Sequence, residues 1–128
     1  MSKMRCPCGA ILSNVQSPCP TEGYLLGERA FFEFTDRLAD AIVEFGLVCQ
    51  TERRSAWIVE RFGPQYPADI TDAEVIADLL HGSLWQQVLS VAECIACGRL
   101  LVQTAPDLNE YRAYAPDESG APPILKMK

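Results

Sequence analysis

Cys94-Ile95-Ala96-Cys97-Gly98-Arg99-Leu100-Leu101-Val102 is the stretch on which the reading of this 128-residue chain turns. A Cys-x-x-Cys turn can present two thiolates to one ion while backbone N–H groups point at the sulfurs and offset their charge. Glycine directly after the second cysteine permits the positive φ at which the chain turns back. Before the turn, Trp85, Gln87, Leu89 and Val91 alternate with Gln86, Val88 and Ser90; after it, Leu100-Leu101-Val102 resumes the extended pattern. The motif therefore reads as a knuckle joining two antiparallel strands, and the alternating Tyr111-Arg112-Ala113-Tyr114 supplies a third.

A second short pair, also closed by glycine, lies near the start: Cys6-Pro7-Cys8-Gly9. Zinc takes four ligands at tetrahedral angles with Zn–S distances of about 2.3 Å, and two pairs supply four. Cys6, Cys8, Cys94 and Cys97 are thus the candidate metal ligands, and Zn²⁺ the candidate cofactor. Iron accepts tetrahedral sulfur as well, and the sequence does not separate the two. Eighty-five residues, 9 through 93, separate Cys8 from Cys94. One shared ion would join the two ends of the domain. By analogy with a disulfide, closing so long a loop is worth about 4–5 kcal/mol of chain entropy. Other uses of these thiols compete with that reading. Cys94 and Cys97 alone could form a redox pair, but thioredoxin-like pairs place the first cysteine at a helix N-terminus, and here the surroundings are strand-like. Cys19, in Ser17-Pro18-Cys19-Pro20, or His81, beside Gly82, could replace one ligand. Cys49 reads as a small buried apolar residue.

Between the knuckles the apolar period changes from two to three or four. Phe31, Phe34, Leu38, Ala41, Ile42 and Phe45 mark the buried stripe of one helix, with Glu33 and Arg37 paired on its outer face and Gly46 at its end. A second helix is expected over 52–62, capped by Thr51, stopped by Gly63 and buried through Ala56, Val59 and Phe62, although Trp57-Ile58-Val59 would also suit a strand. Thr71 and Glu74 form a capping box for a third helix over 72–80, whose Ala73, Ile76, Ala77 and Leu80 share a face. Residues 14–27 read as a connecting loop. The expected architecture is α+β. Both chain ends, with knuckles at 5–13 and 93–102, form a small antiparallel sheet; about three helices are inserted over roughly 28–81, and a loose tail follows over about 116–128. All of it is read as a single domain, 1–128.

The quoted pairs, CPCG and CIACGRLLV, resemble the two knuckles of the zinc-ribbon and rubredoxin-like class. They also resemble uncharacterised bacterial proteins with an N-terminal C-x-C-G and a late C-x-x-C-G-R-L. The specific match covers about twenty residues, and the first knuckle is one residue shorter than the ribbon pattern. The resemblance implies a three-stranded sheet holding one metal through Cys6, Cys8, Cys94 and Cys97. It implies no catalytic activity.

The formal charge is −6, from 11 Lys+Arg against 17 Asp+Glu. Nucleic-acid binding rests on phosphate neutralisation by Lys and Arg, so a nucleic-acid-binding zinc ribbon is a secondary reading, with Arg5 and Arg99 alone close to the knuckles. No apolar run approaches a membrane span, and MSKMRCPCG lacks the apolar core of a signal peptide; a cytoplasmic protein is expected. Four thiolates would leave no open metal position, and no nucleophile motif accompanies them. Glu93 reads as an exposed neighbour of the site, and Asp36, Asp40 and Glu44, four residues apart, as a solvated acidic face. Of the aromatic residues, Tyr66, between Pro64 and Pro67, is the one placed for display on a loop. The functional expectation is a non-catalytic zinc protein with another protein as partner, such as a basic toxin that it neutralises. Oligomeric state is not encoded in any feature of the sequence.

Overall fold

The structure, a computed structural model, describes residues 3–13, 15–67 and 69–125. The expected α+β architecture is present, with three helices and two antiparallel sheets. In chain order these are β1 (Lys3–Arg5), β2 (Ile11–Ser13), β3 (Glu22–Leu25), α1 (Glu28–Val48), α2 (Arg54–Phe62), α3 (Asp72–Trp85), β4 (Leu89–Glu93), β5 (Leu100–Gln103) and β6 (Tyr111–Tyr114). They fall into two compact units. Gly27–Gln87 is helical, and the segments before it and after it make up the other unit.

In the helical unit α1 packs on α2 and on α3. Ala41, Phe45, Val48, Ile58, Val75 and Leu79 form its core. Glu33 and Arg37 pair as expected at 3.8 Å, with both side chains more than half exposed. Gly46 does not end α1. The helix runs on to Val48, because Phe45 and Val48 are both in the core and their burial outweighs the roughly 1 kcal/mol that a mid-helix glycine costs. Thr51 serves both helix ends. Its hydroxyl donates to Val48 O at 2.8 Å and accepts the N–H of Arg53 at 3.2 Å, and the second helix begins at Arg54. Gly63, at φ 101°, does terminate it.

Three buried faces differ from the sequence reading. In α1, Phe31, read as part of the buried stripe, is 47% exposed. In α2 the buried residue is Ile58, at 0% exposure, whereas Ala56 and Val59 face solvent. In α3 Val75 and Leu79 are buried, and Ala73, Ile76, Ala77 and Leu80 are exposed. Both helices carry two apolar stripes, so period alone cannot choose between them; the inward residues are those that join Ala41, Phe45 and Val48 of α1 in one cluster. Thr71 caps α3 by accepting the Glu74 N–H at 3.2 Å, and α3 continues through Gly82 to Trp85. Tyr66 is not on display. It is half-buried, stacks on Phe62 at 4.3 Å between ring centroids, and donates its hydroxyl to Asp78.

The other unit holds a β1–β2 hairpin and a four-stranded sheet in the order β3-β4-β5-β6. Strand β3 lies inside the segment read as loop. Gly23 interrupts its alternation, and its role is close approach, since a Cβ there would lie 3.2 Å from Leu125 Cδ2.

The tail, read as loose over 116–128, is fastened at Ile124 and Leu125, and residues 126–128 lie outside the described residues. Glu93, read as exposed, is 4% exposed. Its two carboxylate oxygens accept the backbone N–H groups of Ile124 at 2.9 Å and Leu125 at 3.1 Å. A hydrogen bond to a charged group contributes about 1.5–3 kcal/mol. Replacing Glu93 with alanine is therefore expected to raise amide exchange at 124–125 by roughly tenfold or more. Hydrogen-exchange mass spectrometry of the C-terminal peptide measures this, and unchanged protection would refute the clasp.

Candidate metal centre

The two knuckles are built alike. In the first, Cys6 N–H donates to Ala10 O at 2.9 Å and Gly9 N–H to Cys6 O at 2.9 Å. In the second, Cys94 N–H donates to Arg99 O at 2.9 Å and Gly98 N–H to Cys94 O at 2.7 Å. Each closing glycine has positive φ, 99° at Gly9 and 80° at Gly98. A side chain would be strained at either position. The first knuckle closes one residue earlier, so the missing residue is absorbed in the turn and both cysteines still face inward.

The structure brings Cys6, Cys8, Cys94 and Cys97 together, with all four sulfurs within 4.8 Å of one another. The shortest contacts cross between knuckles: Cys6 to Cys97 at 3.5 Å and Cys8 to Cys94 at 3.7 Å. Four sulfurs placed about 2.3 Å from a central zinc at tetrahedral angles lie roughly 3.8 Å apart. The donor set and its size therefore fit a tetrahedral metal. The sulfur contacts pair residues across the knuckles, not Cys94 with Cys97, which is the pattern of a four-ligand cluster rather than of an isolated redox dyad. Cys19 stands outside the group, its thiol 3.3 Å from Thr21 Oγ1, and Cys49 donates to Gly46 O at 3.7 Å. His81 is exposed within α3.

Burial and charge divide the four thiols. Cys6 and Cys94 are each 1% exposed, Cys97 is half-buried and Cys8 is exposed. Burial pushes the Cys6 thiol up to about 12. The Arg99 backbone N–H and then its guanidinium, 3.4 Å from the sulfur, bring Cys97 down to about 6. In this geometry Cys97 favours the thiolate and Cys6 the thiol, so a metal held here would take Cys97 as it stands and would require Cys6 to release its proton.

Sequence reasoning proposed the four cysteines but missed Arg99 as the group that holds Cys97 ionised; its position two residues after the cysteine was the available signal.

Fold and site together define an α+β protein whose two terminal segments meet at a four-cysteine, zinc-ribbon-like cluster able to hold a metal ion. The chain belongs to the family described as Domain of unknown function (DUF8617), whose match covers residues 2–118. No curated protein and no solved structure matches it. No helix among the described residues is long and apolar enough to cross a membrane.

Proposed function

We propose that this is a non-catalytic zinc protein, in which Cys6, Cys8, Cys94 and Cys97 form a closed structural site and the folded chain acts by binding another protein. The observation that carries the reading is the mutual approach of four sulfurs from knuckles that lie 85 residues apart (9 through 93) in sequence. Closed four-sulfur coordination leaves no position for a reactive water, which supports a structural rather than a catalytic role. Thiolate ligands also require a reducing compartment, such as the cytoplasm. The acidic charge of −6 favours a basic partner, of which a toxin is one kind. Native mass spectrometry tests the centre directly. One zinc per chain is expected, and a folded chain without metal would overturn the reading.

A further inference from the structure

The charge is not spread evenly. Residues 27–87 hold five arginines against eleven Asp and Glu, a net −6, so the remainder of the chain is neutral. Within this acidic unit the outer face of α1 breaks three local rules at once. Phe32, Val43 and Leu47 are 58%, 64% and 71% exposed, and with exposed Ala39 they follow a 7-4-4 spacing that draws one line along the helix. Asp36, Asp40 and Glu44 run beside that line at four-residue intervals, a like-charged row that weakens a helix. Among the described residues the ion pairs join Glu33 to Arg37 and Arg54 to Asp72, and none involves this row. Gly46, beside the stripe, has nothing within 4 Å of where its Cβ would be, so packing inside the chain does not explain it. Such choices, each unfavourable to the isolated helix, agree only if another surface covers the face.

We propose that this α1 face binds a basic amphipathic helix of a partner protein. From Phe32 to Leu47 the stripe is about 22 Å long, which matches a partner helix of roughly four turns. Ala39 and Gly46 leave room for close approach, while Phe32, Val43 and Leu47 supply apolar anchors. At its C-terminal end the stripe runs into a groove of about 410 Å³ lined by Leu47, Val48 and Trp57, where Glu44 and Glu60 are balanced by Arg53 and Arg61, so the groove adds an apolar seat and no net charge. The acidic row selects lysine or arginine along one flank of the incoming helix. A second copy of α1 fits poorly. Antiparallel pairing sets the acidic row against itself, and parallel pairing sets it against the flank of Thr35 and Ile42, which carries no positive charge.

This inference rests on the reading of the chain as a binding protein, and its test separates the two. An 18-residue Leu/Lys amphipathic peptide and its Leu/Glu counterpart are titrated against the zinc-loaded protein, with zinc content measured for each variant. The Leu/Lys peptide is expected to bind and the Leu/Glu peptide not to. The triple variant D36N/D40N/E44Q is expected to weaken binding roughly tenfold, the sum of three exposed ion pairs. F32A/V43A is expected to weaken it with zinc and helix content retained. The control E52Q/D69N/E74Q, elsewhere on the same unit and outside its ion pairs, is expected to leave it unchanged. Equal loss in the control would show diffuse charge attraction and overturn the α1 site while leaving a binding role intact. Absence of binding to either peptide overturns the site, as does self-association in sedimentation that F32A/V43A abolishes. Loss of binding together with zinc falls on the metal centre instead.

Discussion

Replacing Cys94 with serine is expected to abolish metal binding and unfold the sheet-containing unit, while the helical signal of Gly27–Gln87 persists. Among the described residues its buried apolar side chains are Cys6, Val88, Val91, Ala92, Cys94 and Leu101, so two of the six are proposed ligands. Strands of three to five residues around so small an apolar centre cannot hold themselves together. A structural zinc site supplies on the order of 10–16 kcal/mol of folding free energy, more than the whole stability of a typical small domain. Cys94 is chosen because, like Cys6, it is 1% exposed, and its sulfur lies 3.7 Å from that of Cys8. A serine oxygen there would leave a polar group in a buried site and one ligand missing. Cys19→Ser and Cys49→Ser, outside the cluster, are expected to change stability by less than about 1 kcal/mol. Zinc stoichiometry by native mass spectrometry, near-UV dichroism and a chelator titration of the unsubstituted protein read the same event. If the Cys94→Ser sheet stays folded, the site does not hold the unit together.

How far the sequence reveals this arrangement depends on the kind of signal each residue carries. The cysteine knuckles are legible because their chemistry is specific: few other uses of a thiol demand a pair, a short spacing and a glycine with positive φ. The existence of three helices is legible from period, and Thr71 from its hydroxyl one residue before α3. What period cannot decide is which of two apolar stripes is inward, and both α2 and α3 carry two. Ile58 and Val75 are therefore visible as core only in three dimensions. Strand β3 is hidden by Gly23, whose reason for being there is Leu125, about a hundred residues later. Glu93 misleads for a related reason. A charged residue beside a metal knuckle reads as solvent-facing until its two backbone donors, from the far end of the chain, are in view.

The helical unit offers the second large effect, independent of the metal. Phe45→Ala removes a ring that is 2% exposed, lies 5.2 Å from Trp57 between centroids and has the Arg54 guanidinium 5.6 Å from its own centroid. Truncating a buried phenylalanine costs about 3–5 kcal/mol. For a unit of this size each kcal/mol lowers the midpoint by about 4–8 °C, so a fall on the order of 15–30 °C is expected in the helical transition. Phe32→Ala lies on the same helix and removes the same ring, but from a position that is 58% exposed; its midpoint is expected to move by only a few degrees. The pair separates burial from residue type within one element. Zinc content should stay at one per chain in both variants, because the ligands and their core belong to the other unit. Thermal melts followed at 222 nm, with zinc measured at each step, give the comparison. A Phe45→Ala protein that loses zinc as it loses helix would mean that the two units fold as one cooperative body, and the separate cores would then be parts of a single folding transition.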